Sequence, residues 1–112
     1  MQENTPINVE EALERIDGDR EFLKELANIF LQEAEFHLAD IEEAIRTSET
    51  GKLQDLAHTI KGAAANISAE RARNIASMLE TAAREGDLAK AEMLTKDLET
   101  EIEEIRSFIP QI

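Results

Sequence analysis

Cysteine is missing from the chain altogether, which removes disulfides, thiolate nucleophiles and Cys-based zinc or iron–sulfur centres from consideration. Tryptophan and tyrosine are missing too, and the four phenylalanines are too few to build stacking platforms for nucleic-acid bases. Two prolines and four glycines cannot supply the many turns of an all-β domain, so the chain reads as helical. It contains no run of about 20 apolar residues to cross a bilayer. The opening residues, MQENTPINVEE, lack a basic region followed by an apolar stretch, so no secretory signal is expected. A reducing, cytoplasmic location fits these absences.

Basic residues are the other shortage. Twelve Lys and Arg stand against 25 Asp and Glu, a net charge of −13. Such a surface repels phosphate backbones, so nucleic-acid binding is not expected. The deficit is uneven. Between Lys52 and Arg84 five basic residues outnumber three acidic ones, which makes that segment +2 and leaves −15 on the rest. An anionic group or an acidic partner is expected to dock on this least acidic segment.

What the chain does have is helical periodicity. Its 112 residues suit one domain with one core, here residues 1–112 with the core from about 7 to 109. The first helix is expected from Val9 to Ile16, with Asn8 as cap, Glu11 at the reciprocal capping position and Gly18 just beyond its end. The second is expected from Arg20 to Thr47, capped by Asp19, with Leu23, Leu26, Ala27, Phe30, Ala34, Leu38, Ile41 and Ile45 inward. After TSETG a third helix is expected near Lys52, burying Leu53, Leu56, Ile60, Ala64 and Ile67. Ser68 is expected to cap a fourth, with Ala72, Ile75, Ala76, Leu79 and Ala83 inward. Gly86 and Asp87 stop and restart the chain, and the last helix repeats Leu88, Ala91, Leu94, Leu98, Ile102, Ile105 and Ile109 before Pro110. Short connections make antiparallel neighbours. The expected fold is all-α, an antiparallel four-helix bundle with a short extra N-terminal helix, self-contained and monomeric.

One segment carries chemistry: LAHTIKGAAANISA, from Leu56 to Ala69. With Leu53 at zero and about 100° per residue, His58 falls near 140°, Lys61 near 80°, Ala65 near 120° and Gly62 near 180°. The histidine therefore lies on the outer face, with Gln54 one turn before it. A mid-helix glycine on an exposed face costs about 1 kcal/mol relative to alanine, with no packing gain. The economical reason for Gly62 is clearance for a group approaching the imidazole. Lys61 adds a mobile positive charge on the same side, suited to phosphoryl or carboxylate oxygens. The pattern points to a histidine reached by another macromolecule. His37, in AEFHLAD, lies at the edge of the apolar stripe near Phe30 and Ile41, without a following Lys-Gly, and is expected to be a packing residue. The two histidines share no His-x-x-x-His or Glu-x-x-His pair, so no metal site is expected. The one Gly-Lys pair, Gly51-Lys52, lacks the P-loop pattern, so no ATP site is expected.

AHTIKGAAANISA resembles the motif of the histidine phosphotransfer (HPt) domain family of bacterial phosphorelays, commonly Ala-His-x-Leu-Lys-Gly-Ala/Ser-Ala/Ser-x-x-hydrophobic-Gly-Ala. ASMLE and IDGDREFLKELANIFLQEA are also similar to the family, and the resemblance runs from about Ile7 to Ile109. It implies that His58 accepts a phosphoryl group from a receiver-domain aspartate and passes it to another. Lys61 would help hold the phosphoryl oxygens, and Gly62 would leave room for them. Glu80 stands where the family often has Gln or Glu; accepting from Nδ1–H, it would orient the ring and leave Nε2 as nucleophile. Gln54, Ala65 and Arg71 are expected in the docking surface. The implied partners are response-regulator receiver domains and a hybrid sensor kinase, of which this chain is either a separate relay partner or an excised domain. The receiver would supply the Mg²⁺, so the chain itself has no cofactor and is a carrier, not an enzyme. Ser68 replaces the family's common glycine, and Ala72 stands where leucine is frequent. The competing reading is a degenerate member serving as a non-catalytic helical interaction module, which would be expected to lose the histidine or the lysine. Both are present.

Overall fold

The computed structural model describes residues 5–112. The chain forms α1 (Val9–Arg15), α2 (Arg20–Arg46), α3 (Thr50–Asn66), α4 (Glu70–Arg84) and α5 (Leu88–Phe108), followed by a 3₁₀ turn at Ile109–Gln111. Three of the expected caps form. The Asn8, Asp19 and Asp87 side chains accept from the backbone N–H groups of Glu11, Phe22 and Lys90, each satisfying a donor with no intrahelical partner.

The two other turns depart from expectation. Between α2 and α3 the chain reverses in three residues, because Ser48 is left-handed (φ 58°) and the Glu49 N–H returns to the Ala44 carbonyl. Helix α3 therefore starts at Thr50, two residues before Lys52, with Gly51 inside it. At the end of α3, Ser68 is not the cap of α4. Ala69 occupies that position, with no side-chain bond. Ser68 is instead left-handed (φ 56°), which explains why glycine is common there in the family it resembles. Its hydroxyl donates to Glu11 Oε1 at 2.8 Å, and its carbonyl accepts from the Asn8 N–H at 2.9 Å. Glu11 consequently does not cap α1 reciprocally; the same oxygen also pairs with Arg15 at 3.2 Å. Arg15 in turn donates to the Ala65 carbonyl at 2.8 Å and the Asn66 carbonyl at 3.3 Å. The short α1 thus serves as a cap for the C-terminal end of the histidine-bearing helix.

Helices α2 to α5 pack in a ring, α2 on α3, α3 on α4, α4 on α5 and α5 back on α2. Leu23, Ile41, Leu53, Ile60, Leu79, Leu98 and Ile105 are fully enclosed at its centre. The most intimate pair is α3 with α4, where Ala57, Ala64, Ala72, Ala76 and Ala83 are buried. Such small side chains let two helix axes approach closely. Ala57 lies outside the stripe drawn from the sequence, which took in Leu56 at its edge; Leu56 is only partly buried. A bulky residue is easily counted into an apolar face whose contact positions are alanines.

Candidate functional site

Leu53, Ala57, Ile60 and Ala64 fix the inner face of α3, so the residues between them have to point outward or sideways. His58 does: its side chain is 68% exposed. The alanine-lined approach of α3 and α4 brings Glu80, from the middle of α4, beside it. Glu80 Oε2 lies 2.9 Å from His58 Nδ1, and Glu80 Oε1 lies 2.6 Å from Lys61 Nζ. One carboxylate, its side chain only 11% exposed, therefore engages both residues.

The electrostatics fix the tautomer. The Lys61 ammonium bonded to Glu80 holds the carboxyl below its ordinary value; partial burial opposes this, and the bond to His58 adds to it. Glu80 is thus an anion at neutral pH, and a carboxylate can only accept hydrogen bonds. Nδ1 must then carry the proton, which in a neutral ring leaves the lone pair on Nε2. Lys61 is not the free, mobile charge expected from the sequence: its ammonium is tied to Glu80 in this state. That link joins two helices, and nothing in the spacing along either one announces it.

The remaining candidates separate. A Cβ built on Gly62 meets nothing within 4 Å, so folding does not require glycine at that position. Gln54 and Ala65, four residues before and seven after His58, share its face and are half-buried. Arg71 does not. It lies on the side of α4 turned to α5, where it bonds Glu101 at 3.1 Å and Glu104 at 2.8 Å. Nine residues, or about half a rotation of the helix, separate it from Glu80. His37 packs at the α2–α3 boundary with Phe30, Thr59 and Ala63, its Nδ1 buried and without a hydrogen-bond partner among the described residues. A groove of about 510 Å³ lies between α1 and the start of α2, lined by Val9, Leu13 and Asp17, and His58 takes no part in it. A protruding ring outside this groove suits a macromolecular partner better than an enclosed small substrate.

The family model for the Hpt domain matches residues 25–108. The chain belongs to the Hpt domain family. The match takes in most of α2 and all of α3, α4 and α5, while α1 lies outside it. Among Hpt-related proteins, the phosphorelay intermediate protein rdeA of Dictyostelium discoideum is 27% identical over 89 residues, which cover 80% of this chain and 35% of that protein. The chain thus spans about a third of that relative's length. In fold it resembles the histidine-containing phosphotransfer protein B (HptB) of Pseudomonas aeruginosa, with a TM-score of 0.82 at 24% identity over 96% of this chain and 94% of the other.

Two consequences of this geometry are measurable. Glu80→Gln keeps the size of the side chain but removes its charge, and should cost about 1–2 kcal/mol at neutral pH. Because the folded-state carboxyl is held below 4.5, its contribution is complete above that value and is lost as the pH falls further. Melting curves should therefore show the variant below the wild type at neutral pH and the gap closing in acid. A gap that persists in acid would mean the Glu80 charge is not the cause. Gly62→Ala should act in opposite directions on stability and transfer. It should raise stability by about 0.5–1 kcal/mol through helix propensity, yet slow phosphoryl transfer if a partner approaches His58 over this turn. Equal or faster transfer in that variant would remove the clearance argument.

Proposed function

We propose that this Hpt domain is a phosphorelay carrier whose His58 takes a phosphoryl group from a receiver aspartate and returns it to another. One observation carries the assignment to this residue: an exposed imidazole whose Nδ1–H is held by an ionised Glu80, leaving Nε2 with the lone pair one turn before the open position at Gly62. In the forward step the Nε2 lone pair attacks phosphorus in line. The N–P bond forms as the acyl phosphate P–O bond breaks, and the electron pair leaves on the receiver carboxylate. The phosphorylated ring becomes cationic, and its Nδ1 proton stays against Glu80, which stabilises that charge. The return step runs the same path in reverse, with positioning and charge neutralisation as its main requirements. Mg²⁺ belongs to the receiver in this scheme. The partners are receiver domains, separate or within a hybrid sensor kinase. They meet a monomeric carrier in the cytoplasm on a surface that includes Gln54, Gly62 and Ala65.

The test is transfer of radiolabel from a panel of phosphorylated receiver domains, with ATP and Mg²⁺ alone as a parallel arm. The expected result is acid-labile label on the peptide containing His58, arriving from a receiver and not from ATP. Label that never leaves any receiver, or that maps to another residue, would end this assignment. A chain that binds receivers without taking label would be an interaction module.

A further inference from the structure

The last turn of α3 has few means of holding its own shape. Gly62, Ala63, Ala64 and Ala65 carry no side chain longer than a methyl group, and glycine is the poorest helix former after proline. Two residues beyond the helix, Ser68 turns left-handed, so the final carbonyls of α3 lose the partners that a continuing helix would supply. The turn itself replaces some of them: the Ala69 N–H returns to the Ala64 carbonyl at 2.9 Å and the Ser68 N–H to the Ala65 carbonyl at 3.1 Å. The rest comes from α1, which lies outside the family match. Arg15 Nη1 donates to the Ala65 carbonyl at 2.8 Å, and the Asn66 carbonyl accepts from Arg15 alone among the described residues, at 3.3 Å.

The guanidinium is itself held in place. Glu11, one turn earlier on α1, uses a single oxygen to accept from Arg15 Nη2 at 3.2 Å and from the fully buried Ser68 hydroxyl at 2.8 Å. This carboxylate joins the arginine to the left-handed turn and leaves Nη1 for the two carbonyls. The bonds are charge-assisted, and the cation meets the negative end of the α3 dipole.

We propose that Arg15 is a positioning residue for receiver docking, holding the last turn of α3 in the shape that a partner of His58 meets. The proposal rests on the phosphocarrier reading. A receiver that docks over Gly62 and Ala65 meets backbone and methyl groups, which cannot adapt by changing rotamer. The order of that backbone before contact then decides how much ordering the complex must bear. Helix stabilisation alone would change melting but not the receiver concentration that half-saturates transfer, which separates the two roles.

The experiment compares the wild type with Arg15→Ala and Arg15→Lys, well below their melting temperatures. Amide hydrogen exchange reads the turn: in Arg15→Ala the Ile67, Ser68 and Ala69 amides should exchange on the order of tenfold faster, with those of α5 unchanged. The half-saturating receiver concentration should rise about three- to tenfold, while the maximal rate changes by less than about twofold. Arg15→Lys keeps the charge but loses the fork of donors, and should recover both effects in part. Labelling of His58 by phosphoramidate should be equal in all three proteins, because it needs no docked partner; there the P–N bond breaks, ammonia leaves and an N–P bond to Nε2 forms. Unchanged exchange in the turn, or an unchanged half-saturating concentration, would overturn the proposal. So would phosphoramidate labelling that falls in step with transfer, since the effect would then lie at His58 itself. Failure of the carrier reading looks different: no receiver exchanges label even with the wild type, and the proposal falls with it.

Discussion

His58→Gln is expected to reduce label acceptance from any phosphorylated receiver to background while leaving the fold intact. The loss should be complete because the proposed mechanism has one nucleophilic atom, Nε2, and glutamine has no equivalent at neutral pH. The fold should survive because the ring is 68% exposed and makes one side-chain hydrogen bond, to Glu80. A glutamine amide can donate to the same carboxylate, so the change in stability should stay within about 0.5 kcal/mol. Labelling and thermal melting on one preparation measure both. Residual label at the wild-type level would move the nucleophile elsewhere. His37, half-buried between α2 and α3, is poorly placed to replace it.

The second large effect lies away from the site. Leu98 is fully buried in the middle of α5. Leu98→Ala should cost about 2–5 kcal/mol, the sum of lost transfer energy and the cavity left behind. For a small domain whose total stability is typically about 5–15 kcal/mol, that is a large share. The melting temperature should fall by roughly 10–20 °C. Denaturant melts read the loss directly, and below the new midpoint phosphoryl transfer should stay close to normal, because the site is built on α3 and α4. A loss under about 1 kcal/mol would mean that the surrounding helices close the cavity.

Much of this architecture was legible from residue spacing. The capping residues Asn8, Asp19 and Asp87 stand where helices begin, and the stripe on α5 from Ala91 to Ile109 is the buried one. The outward direction of His58 followed from an angular count alone. Other features depend on partners distant in sequence. Ser68 looks like a helix cap locally, but Glu11 and Asn8 draw it into a left-handed turn. Arg71 looks like docking charge until Glu101 and Glu104 of α5 take it up. Lys61 reads as mobile because its partner lies on another helix. Alanines hide the α3–α4 contact, since a methyl group carries little hydropathy and yet decides how closely two axes approach.

The three-residue reversals at 47–49, 67–69 and 85–87 have a consequence for how the molecule assembles. Three of the four packed helix pairs in the ring join segments that the chain already tethers, so little loop entropy is lost in bringing them together. Domains rich in such local contacts fold quickly. The proposed phosphoryl site shares in this economy: His58 and Glu80 are 22 positions apart, at opposite sides of a single hairpin. Its histidine, lysine and carboxylate can therefore meet as soon as α3 and α4 close on each other, before α5 returns to seal the ring against α2.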